Sequence, residues 1–172
     1  MTRLACGCPS QWPDWRGDVD LGGMLVHEMP MWMFLHMPVG FEAFLDRQVQ
    51  DIARIGARER WPGFVLVRSA MFRGALLAPL VDERIPARRV RRLAMPFWVR
   101  VQTIEGEVGA IKPAIQKLRS ALIREAKMPK ELYLAYLTCP HCAEARGGSK
   151  IMVLQRWRES PRLAERLARR RK

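Results

Sequence analysis

Between Met24 and Met37 apolar side chains occupy both alternations of the chain. The odd positions are Leu25, His27, Met29, Met31, Met33, Leu35 and Met37, and the even ones include Val26, Trp32 and Phe34. A period of two predicts extended chain, and apolar residues on both faces predict a buried strand or strand pair. Pro30, which has no N–H to donate, marks a bulge or an edge. At Phe41 the period lengthens. Phe41, Phe44, Leu45, Gln48, Val49, Ile52 and Ile55 recur at steps of three and four, leaving Glu42, Asp46, Arg47, Asp51 and Arg54 mostly outside. That spacing predicts an amphipathic helix ending between Gly56 and Arg60, ahead of Trp61-Pro62-Gly63.

Beyond it, Phe64 to Val67 and Ala75 to Leu77 read as short strands around Gly74, and Met95 to Thr103 as a longer one with Phe97, Val99 and Val101 on one face. Pro113 suits the first turn of a second helix with Ile115, Leu118, Leu122 and Ile123 along one side. Leu132 to Thr138 and Ile151 to Trp157 read as strands joined through Gly147-Gly148. Ser160-Pro161 caps a last helix over 162–171. No internal repeat is visible. Clustered strands with interspersed helices predict an α+β fold: a mixed or antiparallel sheet, two main helices, a C-terminal zinc-ribbon-like hairpin closed by the N-terminal arm, and a basic C-terminal helix. The expected organisation is one domain, with a core over 24–127, residues 1–23 joined to 132–157 as the ribbon-like module, and a basic tail over 158–172.

Length and composition agree with this reading. A chain of 172 residues, 49% hydrophobic and 27% charged, can bury a core and is not a disordered tail. The longest apolar runs, such as Met29 to Leu35, are far short of a membrane span. Leu4-Ala5-Cys6 is preceded by no apolar signal segment, so the expected location is the cytoplasm.

The cysteines carry the sharpest chemistry. All four fall in two pairs, Cys6-Gly7-Cys8 and Cys139-Pro140-His141-Cys142. Four thiolates make a tetrahedral structural Zn²⁺ site, and a C-x-x-C knuckle between two strands brings two of them to one ion. Gly7 relaxes the backbone in the tighter C-x-C pair. Sharing one ion would staple the turn-rich arm 1–23 to the C-terminal hairpin. An iron–sulfur cluster could use the same ligands. Cys-Pro-His-Cys also occurs at the active site of thiol oxidoreductases. Their fold places it early, at the start of a long helix; here 30 residues follow Cys142 and Gly147-Gly148 ends any such helix. Disulfides lack the export signal that would favour them, and buried free thiols are the remaining alternative. His141, inside the knuckle, is expected at the surface.

Other constellations are weaker. His27 with the methionines could bind a soft metal, though methionine more commonly fills core gaps. Asp14, Asp18 and Asp20 read as a solvated acidic loop. No phosphate-cradling glycine loop, nucleophile elbow or H-E-x-x-H motif is present, so no catalytic motif speaks for an enzyme.

Charge adds a direction. The formal net charge is +13. Residues 1–83 carry 8 Arg and no Lys against 10 acidic residues; residues 84–172 carry 22 basic against 7 acidic. Arg84, Arg88, Arg89, Arg91 and Arg92 precede the strand bearing Trp98 and Arg100, and Arg156 and Arg158 open the basic tail. Arginine holds phosphate bidentately and an exposed Trp can stack on a base. The expected function is therefore a zinc-stabilised DNA- or RNA-binding protein, a regulator or accessory subunit of a nucleic-acid-processing assembly. The alternatives are an accessory or metal-handling subunit docking an acidic protein partner, and a thiol oxidoreductase.

Overall fold

The alternation around Met29 becomes the strand β2 (Leu25–Phe34), and the three-and-four spacing after it becomes the helix α1 (Phe41–Arg54). The computed structural model describes residues 3–81 and 86–170. Among them lie eight further strands: β1 (Gly17–Asp20), β3 (Met37–Pro38), β4 (Leu66–Ser69), β5 (Arg73–Pro79), β6 (Val90–Arg92), β7 (Trp98–Glu105), β8 (Lys127–Tyr136) and β9 (Lys150–Glu159). The other helices are α2 (Ile111–Arg124), the single turn α3 (Pro140–Ala143) and α4 (Pro161–Arg170). All pairings are antiparallel. The sheet runs β1-β7-β9-β8-β4-β5-β2-β3, with β6 also on β2. The fold is α+β.

The order hides a repeat that the residues do not show. β2-α1-β4-β5 and β7-α2-β8-β9 are each strand, helix, hairpin, and the sheet reads β7-β9-β8 against β5-β2 mirrored about the β8–β4 seam. At that seam Val67 faces Leu134 and Arg68 faces Tyr133. The period-two rule then sorts the core. On one face Met29, Met31, Met33, Val67 and Leu76 pack beneath Ile52, Phe41 and Phe44 of α1. Leu132, Leu134, Ile151 and Val153 pack beneath Ile111, Ala114 and Leu118 of α2. On the other face Val26, Leu66, Leu77, Val99, Ala135, Met152 and Leu154 form a second core, covered by Leu21, Leu93, Trp12 and Trp15.

Two features differ from the expected layout. The hairpin over 132–157 exists, but its strands run through the middle of the sheet and share both cores, so it is not a separate ribbon module. Nor is the Met24–Met37 stretch buried on both faces. Met29, Met31 and Met33 are core, whereas Trp32, Phe34 and Met37 are 57%, 63% and 71% exposed. The reason is position: here the sheet ends in the two-residue β3, and Trp32 is covered in part by the Arg73 guanidinium. No described helix is long and apolar enough to cross a membrane.

Candidate functional site

The four cysteine sulfurs come together, all within 4.8 Å of one another. Cys139 and Cys142 are 3.9 Å apart, and all four are free thiols. A disulfide needs ~2.05 Å, whereas a tetrahedron with Zn–S of ~2.3 Å has edges of about 3.8 Å. The cluster thus has the spacing of ligands around one ion, not of bonded pairs. Local structure explains each half. Pro140 opens the α3 turn, where the backbone N–H groups of Cys142 and Ala143 donate to the Cys139 carbonyl and the Cys139 N–H approaches the Cys142 sulfur at 3.4 Å. In the arm, Gly7 has a left-handed backbone (φ 83°) that closes a tight loop between Leu4 and Cys8. His141 is exposed.

The crowding polarises the thiols. Burial raises Cys8, and its hydrogen bonds with Cys139, Cys142 and Cys6 push it further up. Burial also opposes ionisation of Cys139, but the N–H groups of Cys142 and His141 and the neighbouring thiols of Cys8 and Cys6 bring it down to about 6. One sulfur is stabilised as thiolate by the protons of the others. A cation at the centre would stabilise all four as thiolates and release those protons.

Sequence reading did not find what anchors the arm. Arg146, just beyond the knuckle, donates to the carbonyls of Pro9 (2.6 Å) and Ser10 (2.9 Å) and lies 4.4 Å over Trp12. Arg3 pairs with Glu59, whose other oxygen accepts the Gly63 N–H at 2.8 Å. Gly63 itself is required: a β-carbon there would stand 2.8 Å from the Gly7 carbonyl oxygen. Trp15, Trp61 and Phe64 meet edge-on beside it.

Of the expected phosphate-binding residues, Arg88, Arg89 and Arg91 line one cleft, and Trp98, Arg156 and Arg158 line a second cavity of about 610 Å³. Arg84 lies outside the described residues. Arg100 is spent on Asp18 (2.6 Å) and Glu125 (2.6 Å), joined there by Lys127. Arg156 pairs with Glu131 at 3.0 Å and covers Phe97 at 4.2 Å. Trp98 is 38% exposed but stacks on Trp157, with ring centroids 5.7 Å apart. Arg89 and Arg91 pair with Asp51 and Glu28, and Arg92 donates to the Gly23 carbonyl. Arg88 and Arg158 are exposed and have no carboxylate partner among the described residues.

Those pairings line a cleft of about 570 Å³ between α1 and the segment 87–91. It exists because, among the described residues, β2 is only partly covered on its outer side. β6 pairs with it at Leu25–His27 and β3 at Met33–Phe34, and Pro30 stands between them without an N–H. The cleft is lined by His27, Glu28, Asp51, Arg54, Arg88, Arg89 and Arg91, among others. Glu28 is held from two sides, by Arg68 at 3.0 Å and by Arg91. His27 is 1% exposed; burial lowers its pKa more than the Asp51 carboxylate, 4.0 Å away, raises it, so the ring is neutral at pH 7. Beside it Gln48 donates to the His27 and Leu76 carbonyls (3.0 and 3.1 Å), leaving its own Oε1 without a partner. Glu28, a charge amid apolar positions, was the available sequence signal for this site.

A family model described as bacterial hydrolase matches residues 17–157. The chain belongs to that family. The match includes Cys139, Cys142 and the whole cleft, and excludes Cys6, Cys8 and α4. No curated protein matches the sequence. Among solved structures the fold is similar to one titled "Crystal structure of EcmrR C-terminal domain", with a TM-score of 0.62 and 6% identity, covering 83% of this chain and 96% of that one. At that identity the likeness concerns the fold.

Proposed function

We propose that this protein hydrolyses a small anionic substrate in the cleft at the outer side of β2, and that Cys6, Cys8, Cys139 and Cys142 hold a structural Zn²⁺ that seats the N-terminal arm. Family membership supports the reaction class. The observation that carries the site is the bracketing of Glu28 by Arg68 and Arg91 at the mouth of a 570 Å³ cleft. Arg88, which has no carboxylate partner among the described residues, is the first anchor for a substrate anion. As the anion recruits Arg91 and Arg89, their hold on Glu28 and Asp51 weakens. Glu28 is then free to take a proton from the attacking water, a role worth typically ~10²–10⁴-fold in rate. Neutral His27 and the Gln48 amide beside it support the floor of the cleft without adding charge.

Four thiolates leave no open coordination position, so the zinc assigned to them serves structure and the water is activated by protein groups. An iron–sulfur cluster in the same place would show visible absorption; zinc is colourless, and metal analysis separates them. The hydrolytic reading is tested with chromogenic carboxylic esters, lactones and phosphoesters. Saturable turnover with one class is expected, and Glu28→Gln should lower kcat about 100-fold or more with the melting midpoint preserved. Turnover with none of these classes, or turnover that Glu28→Gln leaves intact, overturns it.

A second reading, binding of DNA or RNA, is favoured by one observation. Arg88, Arg158 and, on α4, Arg162, Arg166 and Arg169 have no carboxylate partner among the described residues. About five phosphate contacts would give a log–log salt slope of roughly −3.5 to −4.5. Fluorescence anisotropy at ~50 and ~200 mM salt reads it, and absence of binding at the lower salt removes it. An acidic protein partner for the same arginines would compete with nucleic acid in that assay.

A further inference from the structure

We infer that the chain pairs with a second copy of itself through the two hairpin ends at the β2–β3 corner of the sheet. Trp32, Phe34, Leu35, Met37, Met71 and Phe72 are each between 50% and 71% exposed. They come from two hairpins but form one patch. Trp32 faces Arg73 across the β2–β5 ladder, the Met33 N–H donates to the Phe72 carbonyl at 2.9 Å, and the ring Nδ1 of His36 lies 3.0 Å from the Ser69 hydroxyl. With side chains that bury ~150–250 Å² when aromatic, the exposed apolar surface is on the order of 700 Å². That exceeds the ~300–600 Å² of the largest patch on an ordinary monomer and approaches the ~800 Å² each partner contributes to a standard interface. The turn presents the patch deliberately. Leu35 and His36 both have left-handed backbones (φ 48° and 69°), a conformation that side-chain-bearing residues adopt only at a cost. The core gains nothing in return, since Leu35 is 57% exposed.

Charge decides between occupants. From Pro30 to Gly40 the only titratable residue is His36, and 69–72 has none. Arg73, the nearest guanidinium on the ladder, lies 5.2 Å over the Trp32 ring. An anionic bilayer would want a fringe of several cations around the apolar tips, but Arg73 is the one Lys or Arg in segments 30–40 and 69–79. Apart from Arg73, stacked on Trp32, the patch carries no fixed charge, so two copies of a +13 chain meet there with few like charges face to face. A patch that covers its own counterpart gives a closed two-fold dimer. Pro30, at the cleft, lies on the same strand as Trp32 and Phe34, so the interface would lie beside the cleft mouth.

Sedimentation velocity on the full chain tests this. At ~50 μM the expected species has twice the 19.9 kDa chain mass. Phe34→Glu with Phe72→Glu is expected to weaken association about 100-fold or more, giving the single-chain mass at the same concentration. Met37→Lys alone is expected to weaken it ~10-fold, and decides the matter should the double variant lose its fold. A wild-type chain that stays at 19.9 kDa, a dimer indifferent to Met37→Lys, or a monomer that sediments with phosphatidylserine-containing vesicles would each overturn the proposal.

Discussion

The two strand–helix–hairpin halves share a topology and differ at their outer edges. In the second half the outer strand β7 is covered along Trp98–Val101 by β1, and that edge is locked by charge: Asp18 reaches Arg100, Lys127 and the Trp157 indole. In the first half the outer strand β2 is covered only in patches, and the gap is the cleft. The buried glutamines repeat the contrast. Gln155 is fully paired, with Nε2 donating to the Lys130 carbonyl at 2.8 Å and Oε1 accepting from Arg119 at 2.9 Å. Gln48 leaves an acceptor unpaired beside the cleft floor. One half is built for closure. The other retains open edges and unspent polar groups, which is where binding and chemistry are ordinarily found.

The largest expected effect tests the proposed zinc staple, which would tie the arm to the second half. Removing the metal with a chelator, or replacing the buried Cys142 by Ser, should lower stability by ~4 kcal/mol, about 10 °C in Tm, by differential scanning calorimetry. The same treatment should expose Trp12 and Trp15, with a red shift in tryptophan emission. An unchanged melting curve after verified metal loss would show that Arg146 and Arg3 hold the arm unaided.

Next come the glutamines. Gln155→Leu should cost ~2–3 kcal/mol, because it removes the donor shared by the Lys130, Glu131 and Arg156 carbonyls. Gln48→Leu should cost ~1 kcal/mol less, because loss of the unpaired Oε1 offsets part of the penalty. Equal costs in chemical denaturation would remove the distinction between a closed and an open half.

Acid titration probes the locked edge. Burial would raise the Asp18 pKa, but hydrogen bonds and charge from Arg100 and Lys127 lower it to about 2 from an ordinary 3.8. Its contribution is therefore complete above pH ~4 and is lost as pH falls toward ~2. Screened by solvent, it amounts to about 1 kcal/mol, and Asp18→Asn should flatten that window in a pH series of melts. The smallest effect belongs to the open half. His27 is depressed by burial below its ordinary 6.5. The unfolded chain therefore binds the proton first, and stability should decline as pH drops below ~6.5. His27→Gln should remove that slope; a slope unchanged by the substitution would assign it to another group.

Much of the fold was legible because its signals are local. The helix from Phe41, the strands around Val99 and Met152, and the hairpin after Leu132 each declare themselves by period. The cysteine cluster was legible as a candidate site because so few residue types bind metal and all four cysteines came in pairs. A run of arginines shows positive charge but not the carboxylates that fold against it, and Arg100 and Arg156 meet theirs from 25 or more residues away. No local pattern marks the cleft, since His27, Asp51 and Arg89 share no periodicity.

By itself the sequence determined the elements, their apolar faces, the charge asymmetry and the candidate ligands, because each depends on residues a few positions apart. Tertiary structure alone decided that the arm's sulfurs reach the knuckle, that the ribbon strands form the centre of one sheet, that two halves mirror each other, and that one edge stays open. Those outcomes depend on which distant strand lies next to which, and pairing across a hundred residues is set by the packing of whole faces rather than by any local pattern.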